Sequence, residues 1–594
     1  MSESRNNSNA PEIALTLEVD ASMRRVLDVA DPLHEAVRRE VSRGLDEILR
    51  TLGIPGYSSA RITAFKEGAT PEGRFMRLYV NDQVCRYSDE LLQRSYSYTT
   101  LDPGPKPDSI LAWLNDLSKE PSEPDDLHHK RLVEFLSLVC LEAVKRQPAV
   151  LLGPDQVVAY QAALPAPANE PDATWPPDGT WLLTALRKVL GLKISIADKQ
   201  VVAKTLREGL AKGRSKEDVG EDLIVALRPD VIEIQLPQEL LRRLTADDSK
   251  NGLDRFTFLR DGLFTELGLL YPKFRFAPVE NLKPNCFAFK INHLTTPPWM
   301  GLESDQCLVN DTAERVRLFA IEGGAAINPA SGLPGCIIDL RFHDLAEAAG
   351  LTTWNQMQHL ILCFGASLRE NSFCFLHYVI VRDSLKQLEQ AYPALVEVAQ
   401  NNLSIEQITR ILRALVTEEI SIRNLRLILE RLLDYGYAFD DSSRYLILDD
   451  RPNSYGEMVM TWRGEILELV SFVRAGMKRQ ISNKHARSKN TLVVYLLDAQ
   501  IEQILSEGQA LQGSEEGAAQ LDLTMCEKII GAIRKEIAYL PPTAWIPAVL
   551  ISIDVRPLLR QVIAPELPRM PLVAYHELAT DLNVQPVARI SLDT

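Results

Sequence analysis

An eleven-residue pattern that occurs twice constrains this chain more than any other feature. Residues 186–196 read LRKVLGLKISI and residues 412–422 read LRALVTEEISI, aligned without a gap at an offset of 226. In each copy an apolar helix ends. Ser195 or Ser421 then stands where an N-cap would open the next helix. In the first copy Asp198 follows at the spacing of a capping-box acid. The second following helix places Leu425, Ile428, Leu429 and Leu432 on one face, with Gly436 as its stop, and Val202 and Leu206 mark the matching face of the first.

The similarity extends upstream. Residues 45–55 (LDEILRTLGIP) resemble 263–272 (LFTELGLLYP), each a helix ending at a glycine before a strand. Strand-like runs follow at 75–80 and 286–291. The spacing here is near 215, so the loops differ in length. A period this long is not that of a solenoid and predicts two tandem multi-subdomain units. Only the second unit has a tail. Residues 545–563 (WIPAVLISIDVRPLLRQVI) read as a buried strand, a turn at Asp554 and an amphipathic helix, and 567–578 as a loop and a second strand. That order predicts a βαβ-like terminal subdomain.

With 46% hydrophobic and 24% charged residues, the 594-residue chain can build several cores. Loops or linkers are expected at 101–107, 119–126, 164–179, 440–456 and 506–518, which are rich in Pro, Gly or acid. The net charge of −15 disfavours nucleic-acid binding through a basic surface. The eight cysteines are scattered, none in C-x-x-C spacing, and most sit in apolar runs, as buried free thiols do in a reducing cytosol. No leader is visible in the polar first eleven residues, and no uncharged apolar run is long enough to span a bilayer. A soluble, cytoplasmic protein without direct membrane insertion is expected.

Catalytic constellations are missing. The sequence holds no P-loop, G-x-G-x-x-G, H-E-x-x-H or G-x-S-x-G pattern. Gly323–Gly324 reads as a turn. His128 and His129 near Asp125 and Asp126 read as a solvated linker rather than a metal site. Arg341, His343 and Asp344 follow a strand; the group could hold a general base but reads as the cap of the helix that begins near Asp344, and His576 beside Glu577 is unspecific. No catalytic, cofactor or metal residue is assigned, and the protein is expected not to be an enzyme. One basic cluster, Arg474, Lys478, Arg479, Lys484, Arg487 and Lys489, stands without an intervening acid. It reads as a solvated helix end and basic loop, with an acidic protein partner, a neighbouring subunit, nucleic acid or acidic lipid as alternatives.

Several segments, in order, resemble the cytoplasmic part of the FHIPEP family, the flagellar/Hr/invasion protein export pore of type III secretion. They are LKPN at 282–285, GLP at 332–334 before the strand at 336–339, EISIRNLRLIL at 419–429, VRAGMKRQI at 473–481 and the strand–helix–strand at 548–577. The resemblance covers about 231–592. Residues 13–229 look like a diverged second copy, with LLGPDQV at 151–157 as its clearest trace. There are departures. The family's membrane half has no counterpart here, so the chain is not expected to be the pore itself. Cys336 and Ile337 stand where GLP is usually followed by an aromatic, and Ala197 and Lys199 replace a family Arg and Leu.

The resemblance implies a mixed α/β and α multi-subdomain fold, read as tandem diverged copies of an export-gate cytoplasmic domain. The expected division is 1–11 as a flexible N-terminus, 12–230 as a truncated unit and 231–594 as a full unit. The full unit would comprise 231–345 (α/β), 346–400 (mainly helical), 401–490 (helical) and 491–594 (a C-terminal α/β subdomain). What the resemblance implies about function is non-enzymatic docking. Export substrates, chaperones or gate components would bind in grooves between subdomains, at binding residues the sequence does not identify. A homo-oligomeric ring is implied too, commonly ninefold, although an odd ring cannot be built from whole two-unit chains. The localisation implied is cytoplasmic, peripheral to the inner-membrane secretion apparatus. The alternative is a stand-alone oligomeric scaffold that reuses the fold outside secretion.

Overall fold

A computed structural model describes residues 10–592 except 66–73, 104–109, 111, 115, 118–125, 166–174, 247–251, 439–444, 453–457, 463–465, 488, 513–521 and 542–543. The expected linkers at 101–107, 119–126 and 164–179 fall largely outside the described residues. By its contacts the chain forms two units. The first takes residues 1–259 and 272–374, the second 260–271 and 375–594.

In the first unit, β1 (Glu12–Val19) alternates apolar and polar residues, so Ile13, Leu15, Leu17 and Val19 all face the core at 0–1% exposure. The helix Pro32–Leu52 follows. Asp31 caps it by accepting from the Leu33 amide, Pro32 occupies its first turn, and Leu33, Val37, Val41, Leu45 and Leu52 form its buried stripe. The helix stops at Gly53 (φ +76°) and leads into β2 (Tyr57–Ala64), which pairs parallel with β1. A left-handed residue that ends a helix without a Cβ penalty is the usual role of glycine. β3 (Met76–Val80) pairs antiparallel with β1, and β4 (Gln83–Cys85) returns beside β3 through Asn81 and Asp82, both at positive φ. The strand order is β2-β1-β3-β4.

The same arrangement recurs later in the unit. β5 (Val231–Leu236) pairs parallel with β6 (Lys273–Pro278) and antiparallel with β7 (Cys286–Ile291), and β8 (Leu294–Thr295) returns beside β7 past Asn292 at positive φ. The order is β6-β5-β7-β8, with β9 (Trp299–Met300) also on β7. Phe364 packs on this sheet, 4.7 Å from Phe274 and 4.8 Å from Phe289 between ring centroids. A third sheet, in the order β11-β12-β10-β13, is built from β10 (Gln306–Val309), β11 (Gly323–Ile327), β12 (Pro334–Asp339) and β13 (Thr353–Trp354).

Polar contacts tie the first sheet's helices to the second sheet's surroundings. Arg94 stacks 3.9 Å from the Trp299 ring and donates to the Pro297 carbonyl, and Lys283 Nζ lies 2.7 Å from Glu134. Lys193 Nζ donates to Asn371 Oδ1 at 2.6 Å, and Arg146 pairs with Glu370 at 2.7 Å.

The second unit packs helices Tyr378–Glu389, Pro393–Asn402, Ile405–Thr417, Leu425–Ala438, Ile466–Gly476 and Lys478–Ala486. A hairpin of β14 (Tyr445–Pro452) and β15 (Met458–Trp462) lies between them in sequence. Its last part is an all-parallel sheet of order β18-β17-β16-β19. The strands are β16 (Thr491–Leu497), β17 (Ala548–Ile551), β18 (Leu572–Ala574) and β19 (Asn583–Ile590). The crossover from β17 to β18 is the helix Arg556–Ile563, the βαβ unit expected from the sequence.

Several local expectations are corrected. Ser195 and Ser421 are not helix caps. The next helix starts at Lys199 with Asp198 as its cap, and in the second copy Asn424 accepts from the Leu427 amide. Both serines instead close a turn two residues long, to the amides of Ala197 and Arg423. A Ser hydroxyl can make either bond, so the sequence alone does not separate them. Gly436 lies within a helix that runs on to Ala438. Part of the expected loop at 440–456 is β14, and the helix Ala499–Gln512 enters the expected loop at 506–518. Gly323–Gly324 is not a turn but opens an edge strand.

Candidate binding surfaces

The expected basic cluster separates into groups with different roles. Arg474 is 1% exposed. Its Nε lies 2.6 Å from Glu577 Oε1, its Nη2 2.8 Å from Glu577 Oε2, and its Nη1 3.1 Å from Glu418 Oε2. Arg556 completes the network, with Nη1 2.6 Å from Glu418 Oε2 and Nη2 donating to Ser471 Oγ. Two arginines thus face two glutamates, which removes the net charge that burial would penalise most. Burial alone would raise the Glu418 carboxyl, but Arg474 and Arg556 beside it hold it below the ordinary value. The network joins the end of helix Ile405–Thr417 and the helices Ile466–Gly476 and Arg556–Ile563 to the turn after β18.

Lys484 bonds both the backbone carbonyl and the carboxylate of Glu419. Arg487 lies over Trp545, 3.0 Å from its ring centroid. Lys478, Arg479 and Lys489 are exposed. Of the six residues only Arg474 is buried, and the other five are exposed. An arginine within the apolar run LVSFVRAGM is the signal that marks such a buried group, and its partners Glu418 and Glu577 carried none.

The histidines have local roles. His128 gives its amide to the capping carboxylate of Asp126, and His129 is buried, its imidazole pushed down by burial. His343 contacts Asp344, whereas Asp339, not Asp344, caps the local turn by accepting from the Arg341 amide. His576 lies in the short turn that delivers Glu577 to Arg474. Among the described residues no group of three or more His, Cys, Asp or Glu could hold a metal ion. All eight cysteines are buried and none forms a disulfide, and burial pushes Cys85, Cys140 and Cys286 up to about 12.

A surface depression of about 240 Å³ lies at the edge of the second sheet, lined in part by Glu233, Arg275, Lys290 and His293. Its charges already meet one another, Arg275 at 2.6 Å and Lys290 at 3.8 Å from Glu233, and His293 Nδ1 accepts from the Ser195 amide. A different kind of surface surrounds the third sheet. Leu318 (83%), Leu345 (47%), Phe319, Leu340 and Ile327 are all exposed there. Among the described residues no helix is long and apolar enough to cross a membrane. What these surfaces can do chemically is bind other proteins through apolar contacts with charged rims.

A mixed α/β chain with a helical part and a terminal parallel sheet has the fold of an export-gate cytoplasmic domain. The solved CdsV protein of Chlamydia pneumoniae is similar to it at a TM-score of 0.52 and 23% identity, covering 61% of this chain and 98% of that one. The structure of the CdsV and CdsO complex matches at the same TM-score and identity, covering 97% of that chain. The chain belongs to the FHIPEP family, whose model matches residues 176–583. It is a homologue of the type III and flagellar export gate components, which are not enzymes. The low calcium response locus protein D of Yersinia pestis is 26% identical over 392 residues, covering 66% of this chain and 50% of that protein. The flagellar biosynthesis protein FlhA of Bacillus subtilis is 26% identical over 378 residues, covering 63% and 51%. The chain spans about half the length of these curated relatives.

Proposed function

We propose that this chain is a non-enzymatic docking component of type III protein secretion, working at the cytoplasmic side of the inner-membrane apparatus. The family match across 176–583 carries this reading. Its partners are other proteins: export substrates, their chaperones, and secretion components of the kind CdsO represents beside CdsV. Homo-oligomerisation belongs to the same reading.

The proposal includes a tandem origin for the chain. Two features support it. The sheets β2-β1-β3-β4 and β6-β5-β7-β8 share strand order and the sense of every pairing. The helix-end joints also match. The Ile196 amide donates to the Leu52 carbonyl at 2.8 Å, and the Ile422 amide donates to the Leu267 carbonyl at 2.9 Å. The proposed division by origin is one copy over 12–230 and another over 231–594, distinct from the two contact-based units.

Affinity capture of the tagged chain from its native cells tests the functional reading. Recovery of secretion components or exported proteins is the expected result. Oligomer formation with no secretion partner would favour a scaffold outside secretion and overturn it.

A further inference from the structure

The third sheet ends in a strand that has only one neighbouring strand. β11 is an edge of the order β11-β12-β10-β13, so one side of its backbone meets no other strand of that sheet. Its sequence is GGAAI. An unpaired edge is a template for another extended chain, and proteins usually blunt it with charge, proline, a bulge or extreme shortness. The other edges of the larger sheets follow that rule. β2 carries Arg61, β6 carries Lys273, Arg275 and Pro278, β19 carries Pro586, and β4, β13 and β18 are two or three residues long. β11 has five residues, no charge and no proline.

Its glycines are not both required by the fold. A Cβ on Gly323 would collide with Cys336 and Ile338, but one on Gly324 would meet nothing, and Gly324 does not take a left-handed conformation. Apolar side chains flank the edge. Leu318 (83% exposed) and Phe319 (41%) precede it, Ile327 (40%) ends it, and Leu340 leaves β12 beside the start of β11, because Gly323 pairs with Ile338. The segment that builds this sheet is acidic in sequence: residues 301–355 hold eight Asp and Glu against three Arg. A segment drawn to this edge is therefore basic as well as apolar.

We propose that β11 is a β-augmentation site for an extended partner segment of about five residues that alternates apolar and basic side chains. Backbone hydrogen bonds to β11 supply the binding. Apolar side chains of the segment contact Leu318, Phe319 and Ile327, and its basic ones face the acidic surround. This holds whether or not the partner belongs to secretion, because it names a mode of binding and not a pathway.

The probe is a fluorescein-labelled peptide of alternating lysine and valine, titrated onto the whole chain by fluorescence anisotropy. Saturable binding is expected. It should weaken by about tenfold or more when alternate peptide amides are N-methylated, when glutamate replaces lysine, and in Leu318→Asp. Inward and outward amides alternate along a strand, so of Gly324→Pro and Ala325→Pro one removes an outward amide and leaves the β12 ladder whole. That variant, identified by its unchanged circular dichroism, should lose the peptide. Equal binding of the N-methylated peptide would show charge attraction alone and overturn the proposal. So would self-association that Leu318→Asp abolishes in the absence of peptide binding, because the occupant would then be a second copy.

Discussion

Arg474 and Glu577 form a bidentate ion pair at 2.6 and 2.8 Å, with side chains 1% and 0% exposed. It joins the helix Ile466–Gly476 to the turn after β18. Glu577 Oε2 also accepts from the Ala574 amide at 3.0 Å, and Arg474 also donates to the Leu572 carbonyl. Each guanidinium nitrogen of Arg474 and both carboxylate oxygens of Glu577 are therefore hydrogen-bonded, the condition under which a buried pair is tolerated.

Glu577→Gln should destabilise the second unit by about 3–5 kcal/mol, because it leaves two buried arginines with one carboxylate. Urea unfolding followed by tryptophan fluorescence is the measurement. Removing Glu35 from its solvent-facing pair with Arg38, at 2.7 Å, should leave the stability nearly unchanged. Equal effects at the two sites would show that the buried network contributes nothing special.

Glu418 gives the network a pH dependence. Its carboxyl is lowered from the ordinary 4.5 by Arg474 and Arg556, which outweigh burial. A lowered folded-state value means that the unfolded chain binds the proton more tightly. The contribution is therefore fully present above about 4.5 and is lost as pH falls through the lower folded-state value. The gap in melting temperature between the wild type and Glu418→Gln should be constant from neutral pH down to about 5 and narrow below it. A gap that widens on acidification would reverse the assignment.

The architecture was legible where one residue type has one structural meaning. The spacing of Ile428, Leu429 and Leu432 reads as one face of a helix, and the run at 548–577 reads as strand, helix and strand because its turn and amphipathic face are unambiguous. Ser195 was misplaced because a hydroxyl serves a cap or a turn equally well, and Gly323–Gly324 because a glycine pair belongs to turns and to strand edges alike. The Arg474 network was illegible for another reason. Its members stand 56 and 103 residues from Arg474 in sequence, and no periodicity links them.

The cysteines give a test of how the cores behave as a set. All eight are buried, and the thiols of Cys85, Cys140 and Cys286 are pushed up to about 12 by burial. Only the thiolate reacts. A chromogenic disulfide reagent at pH 8 should therefore label the native chain far more slowly than the urea-unfolded chain, where all eight should react. A thiol that reacts at once in the native state would locate a region that opens locally.

The two helix-end glycines are the sharpest test of the matched joints. Gly53 (φ +76°) and Gly268 (φ +79°) are both left-handed, and each presses on the backbone two residues after the repeated serine, at Ala197 and Arg423. Alanine at either position meets two penalties, the left-handed backbone and the collision with a neighbouring main chain that cannot rotate away. The carbonyls just before them, Leu52 and Leu267, receive the Ile196 and Ile422 amides, so a shift that relieves the collision also stretches a buried hydrogen bond. Gly53→Ala and Gly268→Ala should each cost more than about 1 kcal/mol, which exceeds the gain that alanine brings at a relaxed site. Gly324→Ala, which meets open space, should be close to neutral. Because the two joints lie in different units, their effects should add in the double variant within about 0.5 kcal/mol. A cost at Gly53 with none at Gly268 would mean that the two joints, alike in hydrogen bonds, differ in the rigidity of the segment each one supports.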